Sequence, residues 1–178
     1  MKSFILGMLT LFVVAVLASS AGIWLGVYNV AADVPHWEIT RMTLEVARER
    51  SIAVRSGDLK LPSLDDPELV RAGVLEFHET CRVCHGAPGH PREEFARGMY
   101  PLPPSLSSGD VQDELKSEEV YWIVKNGLKM SGMPAFSAFD DERDILGAVA
   151  FVKRMKDMQP EEYGGLLEKS RGTRPEGP

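Results

Sequence analysis

The chain of 178 residues contains only two cysteines, Cys81 and Cys84, and both lie within one short motif. A disulfide framework is therefore excluded, because such a scaffold needs several cysteines at separated positions. The chain also lacks a basic excess, since its formal net charge is −6. This argues against nucleic-acid binding, which needs a positively charged face.

Charge is absent from Phe4 to Ala32, which is almost entirely apolar. A membrane-spanning helix needs ~20 such residues, so the run is long enough to cross a bilayer. The small residues at Ala18–Ala21 would also suit a signal peptidase, but the apolar run continues beyond them, which a signal peptide does not require. We therefore predict an uncleaved membrane anchor over residues 1–32, and under either interpretation the rest of the chain is exported.

The remaining chain shows no internal repeat and no strand of convincing period, which predicts an all-α protein. Paired charges among apolar residues predict a helical arm, followed by a linker, over residues 33–66. Asp66 and Pro67 form a helix-start signal, and a compact domain is predicted over 67–158. Residues 159–178 are polar and contain several Gly and Pro, so we predict a flexible tail.

The motif Cys81-Arg82-Val83-Cys84-His85 has the Cys-x-x-Cys-His spacing of a c-type haem attachment site. Thiols three positions apart can reach the two vinyl groups of one porphyrin, and the adjacent imidazole can ligate the iron. A structural zinc site is disfavoured because no second cysteine pair exists. A thioredoxin-like dithiol would accompany a βαβ pattern that this chain lacks. We predict one covalent haem c.

The second axial position of the iron is predicted to be filled by Met133. It follows Gly132, which allows close backbone approach, and precedes Pro134, which stiffens the loop. With His85 and Met133 as the two iron ligands, no coordination site remains for a substrate, which favours an electron carrier over an enzyme. The alternatives are an open iron or another ligand: Met130, His36, His78 or His90.

On these motifs, residues 67–158 resemble class I c-type cytochromes. The resemblance implies the class I cytochrome c fold, with helices surrounding one covalent haem. It implies that Gly73 and Phe77 pack against a later helix that carries Phe151. It also implies that a carbonyl of the Pro103-Pro104 loop holds the second nitrogen of His85, without indicating which proline.

The N-terminal part is similar to membrane-anchored monohaem cytochromes of bacteria. We therefore expect a carrier tethered to the bacterial inner membrane, with its haem domain in the periplasm, working in a respiratory chain. Expected partners are an oxidase, a dehydrogenase or a quinol-oxidising complex. The alternative is a fixed haem subunit of a larger membrane oxidoreductase. A haem-based sensor is disfavoured, because no output domain is visible.

Overall fold

The structure, a computed structural model, describes residues 1–172. Its α-helices are α1 (Lys2–Trp24), α2 (Glu38–Ser56), α3 (Pro67–Glu76), α4 (Arg82–His85), α5 (Gly109–Glu114), α6 (Ser117–Asn126), α7 (Glu142–Arg154) and α8 (Pro160–Arg171). Shorter turns of other helix types are the π-helix Phe77–Cys81 and the 3₁₀ helices Glu94–Gly98 and Phe136–Ala138. The predicted all-α class is confirmed, with no strand formed among the described residues.

The first of two compact units ends at Trp37 and is built on α1. By length and composition, α1 is apolar enough to cross a membrane, and its side chains are exposed along its length. After the helix, the Tyr28 hydroxyl lies 2.6 Å from Nδ1 of His36, and the Tyr28 ring meets the edge of Trp37. An aromatic group of this composition suits a membrane–water interface.

The second unit begins at Glu38, the first residue of α2. Arg41 pairs with Glu38 and Glu45 along the surface of this helix, as i,i+3 and i,i+4 neighbours do. Ile52 of α2 is buried, and α2 packs against α6. The predicted helical arm therefore exists, but it belongs to the same compact unit as the domain predicted to begin at residue 67.

The centre of the second unit is the crossing of α3 and α7. Asp66 caps α3 by accepting from the N–H of Glu68 at 3.0 Å, and Asp141 caps α7 in the same way. Phe77 and Phe151 are fully buried, with ring centroids 5.2 Å apart. The family-implied packing of these two rings is thus present, and it places the haem motif directly after the buried end of α3.

Two glycines allow α3 and α7 to approach at backbone distance. A Cβ built on Gly73 would lie 1.8 Å from the carbonyl oxygen of Gly147. No side-chain rotation relieves such a clash, because both partners are backbone atoms. The helices can cross this closely only because Gly73 has no side chain.

We expect Gly73→Ala to lower the free energy of unfolding by about 3 kcal/mol, at the upper end of the usual cost of overpacking. The methyl group would force α3 away from α7. Gly164→Ala is the matched control, because Gly164 also lies in a helix but has no atom near its missing Cβ. Gly164→Ala should raise the free energy of unfolding by up to about 1 kcal/mol, because alanine has a higher helix propensity than glycine. Denaturant unfolding of the detergent-solubilised protein measures both changes, and equal effects of the two substitutions would contradict the crossing.

The C-terminal segment differs from the predicted flexible tail. Pro160–Arg171 forms α8, which packs against α3 and buries Tyr163 and Leu167. The Tyr163 hydroxyl lies 2.8 Å from Nδ1 of His78, and its ring contacts Phe151. Two apolar side chains four residues apart therefore fix this polar segment onto the domain, which corrects the tail prediction over Pro160–Arg171. Residues 173–178 lie outside the described part of the chain.

Burial raises the pKa of Tyr163 to about 12, so we expect Tyr163 to make the protein sensitive to high pH. In the unfolded chain tyrosine loses its proton near pH ~10. Above that pH the unfolded state binds fewer protons than the folded state, so stability must fall until the folded-state pKa is reached. The loss in the free energy of unfolding should total about 3 kcal/mol. Tyr163→Phe should remove this fall in stability at high pH, followed as unfolding by far-ultraviolet circular dichroism. An equal fall in both proteins would contradict the prediction.

Candidate functional site

The Cys-x-x-Cys-His motif lies where α3 passes through the π-helix Phe77–Cys81 into the single turn of α4. Both thiols are free, so neither is used in a disulfide. Gly86 ends α4 with a φ of +74°, a conformation that favours glycine. Its backbone then approaches the carbonyl oxygen of His90 so closely that a Cβ would lie 3.1 Å away. The short helix and its glycine stop hold the two thiols and His85 on one rigid segment.

The Cys81 thiol lies in an environment that suppresses ionisation. Burial, together with the nearby carboxyl groups of Glu76 and Asp140, raises the pKa of Cys81 to about 12. Redox-active dithiols need the opposite, a lowered thiol pKa in an electropositive site. The raised pKa of Cys81 counts against the dithiol alternative.

His85 is oriented by one hydrogen bond. Its Nδ1 lies 2.8 Å from the carbonyl oxygen of Pro104, so Nδ1–H donates and Nε2 is left with its lone pair. Burial lowers the pKa of His85, which favours the neutral imidazole that metal ligation requires. The proline whose carbonyl holds His85, which the family resemblance did not indicate, is Pro104.

The Pro103-Pro104 turn is itself held by polar contacts. Nη1 of Arg92 donates to the carbonyl oxygen of Pro103 at 2.7 Å. The amide of the buried Gln112 donates to the carbonyls of Leu106 and Val152, each at 2.6 Å, which fastens the loop to the end of α7. His85 thus faces a braced loop.

A cavity of about 400 Å³ opens beside His85. Two arginines contribute to its wall, the half-buried Arg92 and the exposed Arg97. The rest of the wall is formed mainly by the loop after the motif and by Leu102 and Ser105. The imidazole therefore lies next to a space lined by both apolar groups and positive charge.

The Met133 loop follows α6, which ends at Gly127 with a φ of +66°. The loop is closed on itself, because the N–H of Leu128 donates to the carbonyl of Met133 at 3.2 Å. Ser131 braces it further: its hydroxyl donates to the Leu128 carbonyl and accepts from the Met133 N–H. Met133 is partly buried against the hydrophobic core, whereas Met130 is 68% exposed. The geometry favours Met133 over Met130 as the buried thioether.

Met99 is a third thioether at this loop, and no motif or spacing in the sequence singles it out. A Cβ on Gly132 would lie 1.9 Å from the methyl carbon of Met99. Met99 belongs to the chain segment between the haem motif and Pro104, and its methyl group packs on the Met133 loop. Only this long-range contact distinguishes it from an ordinary surface methionine.

The alternative histidines are engaged elsewhere. His78 bonds Tyr163, and Nδ1 of His90 lies 3.1 Å from the carbonyl of Pro88. Their two rings contact each other, with centroids 5.9 Å apart. Among the side chains that the structure describes, no group of three or more His, Cys, Asp or Glu is arranged to hold a metal ion.

The donor set of the site fits haem c. Two unpaired thiols stand three residues apart, His85 presents Nε2 while Nδ1 is bonded, and a braced loop carries a partly buried thioether. Together with the α3–α7 crossing, these features define a c-type cytochrome domain.

Comparison with known families agrees with this class. Residues 68–152 match the family described as cytochrome c oxidase, cbb3-type, subunit III. The segment therefore belongs to the c-type cytochromes, which carry covalent haem c and transfer electrons, and Cys81 and Cys84 fit its attachment motif. Searches of curated proteins and of solved structures each returned no match.

Proposed function

We propose that this chain is a membrane-tethered electron carrier with one haem c, working in a respiratory chain. Cys81 and Cys84 would attach the haem covalently, and His85 and Met133 would ligate its iron. The observation that carries the proposal is the Nδ1 hydrogen bond of His85 to Pro104, because it fixes the imidazole with Nε2 free next to the two thiols. Bound haem c supplies one-electron exchange at iron, and the protein supplies orientation and burial.

The roles of the chain follow from these contacts. The Pro104 carbonyl keeps Nδ1 of His85 protonated, and it selects the tautomer whose Nε2 can ligate iron. The braced Met133 loop would supply the second iron ligand, and Met/His ligation raises the reduction potential of a haem. A closed, six-coordinate iron suits outer-sphere transfer, so we propose a carrier that is not itself an enzyme.

We further propose that α1 stays uncleaved and holds the haem domain at the periplasmic face of a bacterial inner membrane. Its length and apolar composition support a span, and the single positive charge of Lys2 favours a cytoplasmic N-terminus. The aromatic group of Tyr28 and Trp37 supports an interface at its outer end. Suitable redox partners are an oxidase, a dehydrogenase or a quinol-oxidising complex.

Spectroscopy of the purified full-length protein tests the haem assignment directly. We expect a haem that acid–acetone does not extract, a low-spin ferric spectrum, and no binding of carbon monoxide to the ferrous form. A high-spin ferric iron would exclude Met133 as a ligand, and an extractable haem would exclude thioether attachment.

One observation favours the alternative of a fixed subunit in a larger membrane oxidoreductase. Ile39, Met42 and Val46 are exposed on one face of α2, and each is at least half accessible. The matched family is also described as an oxidase subunit. Gentle solubilisation followed by sizing separates the two possibilities: recovery in a stoichiometric complex supports the fixed subunit, and recovery alone supports the carrier.

A further inference from the structure

Arg92 contacts the turn that holds His85, and the proposed haem attachment and iron ligation give it no role. It bonds the carbonyl of Pro103, while the next carbonyl along the chain, that of Pro104, accepts from His85. Neither proline has an N–H, so this turn cannot be held by donors of its own. The guanidinium of Arg92 therefore supplies a donor that the turn itself lacks.

The backbone of the turn transmits this contact to His85. The Arg92 bond fixes the peptide plane between Pro103 and Pro104. The ring of Pro104 locks its φ near −65°, so one free dihedral angle separates the fixed plane from the carbonyl that holds His85. Restraining the Pro103 carbonyl thus restrains the acceptor of the histidine.

Arg92 is itself held beside the haem motif. The next residue, Glu93, donates its N–H to the carbonyl of Val83 at 2.9 Å and pairs with Arg82 at 3.1 Å. The preceding turn is closed by reciprocal backbone bonds between Ala87 and His90, each 2.8 Å. The guanidinium is therefore positioned from the motif side and not carried on a free loop.

The charge of Arg92 has a second consequence. It lines the same cavity as His85 and is half-buried, whereas Arg97 reaches that cavity from an exposed position. A guanidinium stays charged at all accessible pH values. A fixed positive charge near a redox centre favours the reduced form, which carries one positive charge fewer, and the effect is stronger where water is partly excluded.

We propose that Arg92 is a positioning residue for His85 and raises the reduction potential of the site through its charge. This inference rests on the proposed role of His85 as an axial ligand. It assigns Arg92 two separable effects, a hydrogen bond that orients the histidine acceptor and a charge that favours the ferrous state.

Three substitutions in the full-length, haem-loaded protein separate these effects. Arg92→Met removes both the charge and the donor, Arg92→Gln removes the charge but keeps an amide donor, and Arg92→Lys keeps the charge. We expect Arg92→Met and Arg92→Gln to shift the ferric–ferrous equilibrium about tenfold toward ferric, which is a fall of ~59 mV for one electron. Arg92→Lys should shift it by less than half as much.

Exchange of the His85 ring N–H with solvent, followed by nuclear magnetic resonance of the ferrous protein, reports the positioning effect. We expect exchange in Arg92→Met to quicken about tenfold and in Arg92→Gln to change less. Arg97→Met is the matched control, because Arg97 lines the same cavity from the surface. It should leave the exchange rate unchanged and alter the potential less than Arg92→Met.

The inference is overturned if Arg92→Met leaves both the potential and the exchange rate at wild-type values, or if Arg97→Met reproduces both changes. These comparisons use only variants that keep the low-spin spectrum of the unmodified protein. A failure of the proposed function is distinguishable, because the unmodified protein itself would then lack that spectrum. If Arg92→Met does not retain haem, Arg92→Gln takes its place, and a wild-type potential in Arg92→Gln overturns the inference.

Discussion

Replacing Cys81 and Cys84 together with alanine is expected to abolish covalent haem completely. Each thioether bond needs its own sulfur, and the described chain has no other cysteine to substitute. Each single substitution should leave one bond and reduce the yield of haem-loaded protein severalfold. Intact-protein mass spectrometry and haem staining after denaturing electrophoresis measure the attachment. Retention of covalent haem by the double variant would refute the assignment of the motif.

Loss of haem should also weaken the fold, because Cys81 and Met133 both pack against the hydrophobic core. A useful control is Gly164→Ala, which should keep full haem loading because the added methyl group would meet no atom within 4 Å. Reduced loading in that control would indicate a general export or maturation defect and not a loss of attachment chemistry.

Most helix starts could be predicted from sequence because their signals are local. Asp66 before Pro67 and Asp141 before α7 act through bonds to N–H groups two or three residues away. A different local signal starts α8, where Pro160 is followed by Glu161 and Glu162 in the first turn. The polar composition of residues 159–178 nevertheless led to the prediction of a flexible tail. The burial of Tyr163 has no local signal, because it depends on α3 and Phe151, which are distant in sequence.

The functional site, too, could be predicted from the sequence only where its signals are local. The Cys-x-x-Cys-His spacing is local, so it identified the haem motif directly. The partner of His85 lies 19 residues away, and only the family resemblance indicated its loop. Arg92 and Met99 lie in irregular loops. No sequence period or residue spacing there indicates which residue a side chain will contact. They could be found only once the loops were placed in space.

Met133→Leu is expected to open the iron and to lower its reduction potential. Leucine matches methionine in volume, so the packing against the core should change by less than about 1.5 kcal/mol. What is lost is the sulfur lone pair. The ferrous protein should then bind carbon monoxide, and the potential should fall on the order of 0.1–0.3 V, within the ~0.8 V range that axial ligands span.

Two matched substitutions make the assignment specific. Met130→Leu alters an exposed thioether in the same loop, and Met99→Leu alters the thioether that packs on Gly132. Neither should permit carbon monoxide binding, because neither removes the proposed ligand. Met133→His should close the iron again at a lower potential than methionine gives, since imidazole ligates but does not raise the potential as a thioether does. If Met130→Leu or Met99→Leu opens the iron while Met133→Leu leaves it closed, the ligand is the substituted residue, and the braced loop serves to shield the site instead of supplying its sulfur.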